Sequence, residues 1–308
     1  MTGRHVAILL AARDGARFLP AQLASILRQD HADWSLTVSD DGSADATPDL
    51  VERFARRAGP GRVRLVAGPG RGATANFLSL LAGWDGTGSY LAFADQDDVW
   101  FPGKLSAALR MLPGPGVPAL YGARTVIAGP DLRPRGLSAL PRRPLGFRNA
   151  LVQNVAGGNT MVMTAAAARL AGAALRAAAA EPAAHDWWLY QIVSGAGGRI
   201  LFDPAPCLYY RQHGDNLVGA NRGWRARLVR AGGVLSGRFA AWNRQNRSAL
   251  AARGDLLTSE ARAALAAFSA LAALSGRPAL RLLAEAGLYR QTRAGDLSLR
   301  AAAWLGRV

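Results

Sequence analysis

Four short apolar runs, at 6–11, 36–38, 63–66 and 90–94, alternate with segments whose apolar residues recur at helical spacing, as Phe18, Leu19, Leu23, Ile26 and Leu27 do. That alternation constrains the fold more than any other feature. Near-continuous apolar strands joined by amphipathic helices are buried on both faces, so they build a largely parallel sheet with helices on each side. The class is α/β. Thr47-Pro48 is expected to open the second helix, with Thr47 as N-cap and Pro48 at the first helical position.

Beyond Trp100 the pattern changes. A helix is expected over about 102–112, a Pro/Gly break at 113–118, and strands near 119–127 and 159–164. Helices at about 165–180 and 186–194 then lead to two strands near 199–202 and 207–211. The Pro and Arg content of 129–146 is that of a surface loop, of the kind that moves over a ligand. From about 221 the chain is mostly Ala, Leu and Arg at helical spacing, which gives an expected division into a domain over 1–220 and a basic helical extension over 221–308.

At 308 residues, half of them apolar, the chain can bury a full core without staples. Cys207 is the single cysteine, so an intrachain disulfide is excluded, and it reads as a buried strand residue. The residues ahead of the first strand lack the apolar stretch of a secretory signal. No apolar run approaches the ~18 uncharged residues of a bilayer span, because Arg169 and Arg176 interrupt the Ala-rich stretch. A cytoplasmic protein is expected, with peripheral contact at the inner face of the cytoplasmic membrane left open. The formal net charge is +16, and residues 221–308 hold 15 arginines against Asp255, Glu260, Glu285 and Asp296. Such a segment suits nucleic acid, anionic lipid or plain solubility. Trp224, Trp242 and Trp304 interleave with its arginines as residues of a membrane-seated helix do, while helices of the same composition also pack on a neighbouring domain or a second copy.

Asp95-Gln96-Asp97-Asp98 follows the run at 90–94 directly, so three carboxylates gather where a buried strand ends. Ligands of open α/β sheets bind beyond the carboxyl ends of the strands. Paired carboxylates there suit a hard divalent cation such as Mg2+ or Mn2+, which keeps positions open for substrate phosphate. A solvated Asp-rich turn has the same composition.

With this acidic turn, four separated motifs fall in the order found in family 2 glycosyltransferases of the GT-A fold. Val38-Ser39-Asp40-Asp41-Gly42-Ser43 resembles the family's strand-end acidic motif, which implies that Asp40 and Asp41 bind the nucleotide of the donor. Asp95-Gln96-Asp97-Asp98-Val99-Trp100 resembles the DxD element with the ending common among rhamnosyltransferase-like members. The resemblance implies that Asp95 faces the ribose, that Asp97 coordinates the metal, and that Asp98 assists either. His185-Asp186-Trp187-Trp188 resembles the motif of the catalytic base, with His185 where many members carry Glu; it implies Asp186 as base, with Trp187 beside the acceptor. Tyr209-Tyr210-Arg211-Gln212-His213-Gly214-Asp215-Asn216 resembles a motif of the same branch, implying His213 as a metal ligand and Arg211 as the partner of the departing diphosphate. Between the second and third, Asn154-Val155-Ala156-Gly157-Gly158-Asn159 resembles the acceptor loop, which implies acceptor contacts for Gly157, Gly158 and Asn159.

The resemblance covers 5–220, about 70% of the chain. It implies a GT-A nucleotide-sugar-binding fold with a mainly parallel, mixed central sheet flanked by helices, followed by a helical extension. The implied reaction is inverting, metal-dependent transfer of a sugar from a nucleoside diphosphate donor. L-Rhamnose from dTDP-L-rhamnose is favoured, with UDP- and GDP-linked sugars open. The implied acceptor is a hydroxyl of a polyprenyl-linked or growing surface polysaccharide. The alternative is a non-catalytic scaffold subunit of a polysaccharide assembly complex. A haloacid-dehalogenase-type phosphatase is disfavoured, because its nucleophile motif lies on the first strand and the only lysine, Lys104, follows the acidic turn at once. A nucleic-acid partner is not expected, since it needs basic and aromatic residues on a shared face and an acidic cleft repels phosphates without metal.

Overall fold

The computed structural model describes residues 3–176, 181–213 and 238–308. The four apolar runs form β1 (Val6–Ala12), β2 (Trp34–Asp40), β3 (Val63–Ala67) and β4 (Tyr90–Asp95). Helices α1 (Leu19–Leu27), α2 (Thr47–Ala58) and α3 (Ala73–Ala82) connect them. β5 (Val99–Trp100), α4 (Lys104–Met111), β6 (Ala119–Ala128) and β7 (Pro134–Leu137) follow. Then come α5 (Phe147–Ala150), β8 (Val162–Thr164), α6 (Ala165–Arg176), α7 (His185–Gly195) and β9 (Arg199–Arg211).

The strands make one mixed sheet in the order β3-β2-β1-β4-β8-β6-β9-β5, with β7 on β6. β1, β2, β3 and β4 run parallel, β8 is antiparallel to both β4 and β6, and β9 returns parallel to β6. One face of β1 carries Val6, Ile8 and Leu10 into a core with Leu19, Leu23 and Ile26 of α1, Val51 and Phe54 of α2, and Leu105 and Leu109 of α4. On β4, Phe93 meets Phe77 of α3 edge-on at 5.7 Å. Alternate side chains of the central strands thus serve different faces, as a sheet covered on both sides requires.

Several local expectations are corrected. Ala46, not Thr47, holds the N-cap position of α2. The Thr47 hydroxyl instead accepts the Gly15 N–H at 2.8 Å, and the Asp45 carboxylate accepts the Thr47 N–H at 2.9 Å. The stretch at 129–146 is not all loop, since β7 pairs with β6 within it. The stretch near 159–164 opens with a 3-10 turn, Gly158–Thr160, before β8. The two strands expected at 199–202 and 207–211 are one, β9, in which Pro204 and Pro206 fall where its register against β6 shifts. Proline donates no ladder hydrogen bond and is tolerated at such irregular positions.

The chain forms two compact units that do not follow the expected division at residue 220. The first comprises Met1–Leu140, Ala156–Ala173 and Arg199–Gly219 and contains the whole sheet. The second gathers Pro141–Val155, Ala174–Gly198 and Ala220–Val308. Its described helices include α5, α7, α8 (Arg238–Ala251), α9 (Ser259–Leu271), α10 (Gly276–Glu285) and α11 (Arg293–Trp304). Asn149 sits fully buried among them. Its amide donates to the Tyr289 carbonyl at 2.9 Å and accepts from the Tyr190 hydroxyl at 2.9 Å and the Gln291 amide at 3.0 Å. Thr258 and Thr292 cap α9 and α11 by accepting the N–H groups of Ala261 and Gly295.

Candidate active site

The site in the first unit is laid out by strand register. β2 and β4 flank β1, with Asp40 opposite Ala12 and Asp95 opposite Ala11, so both acids arrive at the carboxyl edge of the parallel strands. Order β3-β2-β1-β4 places a switch point between β1 and β4, the position where α/β sheets open a crevice for ligands. The loops around it are tied together. The Asp14 N–H donates to the Ser43 hydroxyl at 2.8 Å and the Asp14 carboxylate accepts from Ala44 N–H at 2.8 Å, while Asp45 accepts from Ala16 N–H at 2.9 Å. Asp14 has φ 47°, a left-handed conformation these contacts hold.

Gln96 closes the switch point from the other side. Its amide accepts the Arg13 N–H at 2.9 Å and donates to the Arg13 carbonyl at 3.0 Å, so the acidic turn and the β1–α1 loop are joined by a two-point clamp. Gly15 lies beside it, and a Cβ there would press on the Gln96 amide and displace it from the clamp. Sequence reading assigned Gln96 no role.

Asp97 and His213 come together as expected of a pair, with His213 Nε2 at 2.7 Å from Asp97 Oδ2 and both side chains about one-seventh exposed. The imidazole stacks on Phe18 with ring centres 4.8 Å apart. Phe18, counted in the sequence among the apolar residues of the first helix, is the residue at its N-cap and forms a wall of the site. Arg211 packs its guanidinium over the same ring at 4.6 Å, donates from Nε to the Asp97 carbonyl at 2.7 Å, and also donates to the Pro130 carbonyl. Its described bonds hold the acidic turn in place, whereas the resemblance implied a diphosphate partner. Burial pulls its pKa down and the neighbouring Asp97 and Asp98 oppose that pull.

Asp98 turns inward and is fully buried. It accepts from the Asn159 amide at 2.5 Å and from the Arg211 N–H at 3.3 Å. Burial, reinforced by the charges of Asp95 and Asp97, pushes its carboxyl well above the usual carboxylate range. The assistance to ribose or metal implied for Asp98 does not fit this position. Asn159, implied as an acceptor contact, is likewise interior: its carbonyl accepts from Lys104 Nζ at 2.7 Å. Lys104 is buried over the Trp100 ring at 3.3 Å, and burial draws its ammonium down to about 8 against the pull of the acids nearby. Gly157 is shaped by Asn159 too, since a Cβ there would sit 2.7 Å from Asn159 Oδ1. Gly158 is buried as the first residue of the 3-10 turn. Lys104 and Asn159 thus back the acidic turn from inside, a role no motif reveals.

Asp40 and Asp41 divide their work. Asp40 accepts from the Ser43 hydroxyl at 2.5 Å and the Ser43 N–H at 3.0 Å and remains partly exposed. Asp41 is buried, and its two oxygens accept the N–H groups of Gly70 and Gly72, each at 2.7 Å. It therefore shapes the loop that enters α3.

In the second unit, Asp186 lies partly buried in the first turn of α7, where a carboxylate is favoured by the helix dipole. It accepts the Trp187 N–H at 2.7 Å. Burial holds the adjacent His185 imidazole below the usual histidine range, with Asp186 opposing. Trp187 belongs to the interior of this unit. Its indole donates to the Ala150 carbonyl at 2.6 Å and its ring meets Trp242 edge-on at 6.5 Å, so an acceptor-stacking role is not supported. Trp242, although it makes this ring contact, stays exposed, and Trp224 lies outside the described residues.

Among the described residues no group of three or more His, Cys, Asp and Glu side chains is arranged as a metal cage. The Asp97–His213 pair nevertheless fits a divalent cation of the substrate-sharing kind. Such ions take one or two protein ligands and fill the rest of their shell with phosphate oxygens and water.

The family model for glycosyl transferase family 2 matches residues 8–172. The chain belongs to that family. It is a glycosyltransferase with the mixed α/β, GT-A-like fold, its mostly parallel sheet flanked by helices. The chain is 28% identical over 229 residues to the dTDP-rhamnosyl transferase RfbG of Shigella flexneri, covering 72% of this chain and 78% of that one. It is 27% identical over 122 residues to the UDP-Glc:alpha-D-GlcNAc-diphosphoundecaprenol beta-1,3-glucosyltransferase WfgD of Escherichia coli, covering 40% of this chain and 46% of that one. Among solved structures, the mannosyltransferase PcManGT of Pyrobaculum calidifontis, in complex with GDP-Man and Mn2+, superposes with a TM-score of 0.52 at 19% identity, over 98% of this chain and 85% of that one.

Proposed function

We propose that this glycosyltransferase is inverting and metal-dependent, and that it moves L-rhamnose from dTDP-L-rhamnose to a hydroxyl of a lipid-linked or growing surface polysaccharide at the cytoplasmic face of the membrane. The observation that carries the metal reading is the 2.7 Å pairing of Asp97 with His213 beside the β1–β4 switch point. The similarity to RfbG supports the donor, and the diphosphoundecaprenol acceptor in the name of WfgD supports a lipid-linked one.

Asp97 and His213 are the residues that would hold Mn2+ or Mg2+, which offsets negative charge on a leaving diphosphate. Asp95 and Asp40, at the carboxyl edge on either side of β1, are the proposed contacts of the donor's nucleoside. Asp41 supports them by fixing the Gly70–Gly72 backbone. Gln96 and Arg211 keep the acidic turn in register with the β1–α1 loop and with β9. Asp186 is the proposed base. It takes the proton of the acceptor hydroxyl as that oxygen bonds to the anomeric carbon and the bond to the diphosphate breaks, which inverts the centre. General-base help of this kind contributes about 10²- to 10⁴-fold.

Nucleotide release from a panel of dTDP-, UDP- and GDP-sugars, with Mn2+, Mg2+ or chelator, tests the reading. Release from dTDP-L-rhamnose alone, dependent on the cation, is expected. Asp186→Asn should keep donor binding and lose at least about 100-fold in transfer, and Asp97→Ala should lose the cation dependence of donor binding. Near-normal transfer by Asp186→Asn rejects the base, and preference for a UDP- or GDP-sugar rejects rhamnose.

A further inference from the structure

The second unit carries a surface that none of this chemistry uses. Among the described residues the three most exposed large apolar side chains are Leu297, Leu305 and Trp304, at 68%, 51% and 49%, and all three lie on α11 or at its C-terminal end. At 3.6 residues per turn, Arg293, Leu297, Arg300, Ala301 and Trp304 fall within about 100° of one another. Leu299, Ala302 and Ala303 bury the opposite side. The outward face therefore alternates arginine with leucine and tryptophan, and Arg307 extends it past the helix. The only acid of α11, Asp296, is already engaged: it pairs with Arg143 at 2.7 Å and accepts the Arg290 N–H at 2.7 Å. The face presents cationic and apolar groups with no competing carboxylate of its own.

We infer that the outward face of α11 is a docking surface for an anionic bilayer, lying in the plane of the interface with Leu297, Trp304 and Leu305 inserted and Arg293 and Arg300 on the headgroups. Charge complementarity selects the occupant. A purely apolar partner leaves two arginines desolvated without a counter-charge, whereas anionic headgroups meet them at the depth where tryptophan is favoured. The inference deepens the lipid-linked reading by naming the surface that brings the enzyme to its membrane. It rests on α11 itself, so its failure leaves the sugar-transfer assignment untouched.

Flotation of the full chain with vesicles of phosphatidylcholine, or of phosphatidylcholine and phosphatidylglycerol in equal parts, tests it. Binding to the anionic vesicles is expected at low salt and should weaken sharply toward about 1 M salt, where charges are screened within ~3 Å. Arg293→Gln with Arg300→Gln should weaken it about 25-fold, each arginine near a charged surface counting for about fivefold. Leu297→Ser with Trp304→Ser should abolish insertion while circular dichroism and nucleotide release stay at parent levels, since these side chains are exposed. Absence of anionic-vesicle binding by the parent, or parent-like binding by both double variants, overturns the inference. So does sedimentation showing a dimer that the Leu297/Trp304 variant dissolves, which makes the occupant a second copy.

Discussion

Gln96 stands between two acids, yet its contribution is mechanical. Its amide replaces a strand partner for Arg13, and each of its two hydrogen bonds is worth roughly 0.5–1.5 kcal/mol. Gln96→Leu should therefore raise the donor KM about tenfold or more, with kcat and melting temperature changing less. Gly15→Ala should do at least as much damage alone, and the damage should shrink when Gln96→Ala removes the atom the new methyl would strike. Purely additive losses would detach the two residues. Lys104 offers a titration. Its folded pKa of about 8 lies below the ordinary lysine value, so between about 8 and 10.5 the unfolded chain binds the extra proton. Burial of the charge costs stability fully below pH 8, and the cost is relieved as pH rises. Relative to Lys104→Met, the parent should gain up to about 3 kcal/mol between pH 7.5 and 10.5 in urea denaturation, and a constant gap would reject the assignment. The motifs pointed to Asp97 and His213, and the fold brings their side chains within 2.7 Å of each other. They did not reveal that Asp98, Asn159, Arg211 and Trp187 are bonded within the chain, because a motif shows what a side chain can donate or accept and not whether the chain itself takes up that capacity.

At the scale of elements, the first four strands were legible because burial on both faces leaves a near-continuous apolar signature. Boundaries were legible only where local chemistry decided them. Thr47 next to Pro48 reads as a cap, but the Gly15 N–H, 32 residues away in sequence, claims its hydroxyl and leaves Asp45 to hold the helix entry. β9 hides its continuity behind two prolines that its bulged register tolerates. The helical unit shows the same dependence on distant partners, since Asn149 on α5 bonds to residues 41, 140 and 142 positions away. Asn149→Ala leaves buried donors and acceptors without their partner, so we expect a loss of about 2–3 kcal/mol, read from urea unfolding followed by circular dichroism.

At the scale of the molecule, the second unit draws on three stretches of chain, and two of them, Pro141–Val155 and Ala174–Gly198, precede the division suggested by composition. A fragment of residues 1–220 lacks the helices on which those stretches pack, and Trp187, Trp188 and Leu189 of α7 lose much of their cover. It should aggregate or unfold without cooperativity, whereas the full chain remains soluble under the same conditions; a monomeric fragment with a sharp transition would contradict this. By itself the sequence determined the α/β class, the acidic strand ends and the family, because apolar periodicity and residue type are local properties of a chain. Only the tertiary structure decided which acids are buried and which stay partly exposed, that Gln96 ties the acidic turn to the β1–α1 loop and Phe18 packs on His213, and which segments fold together. Those outcomes depend on partners far apart in sequence, and whether a polar side chain meets water, a ligand or another part of the protein is settled by packing alone.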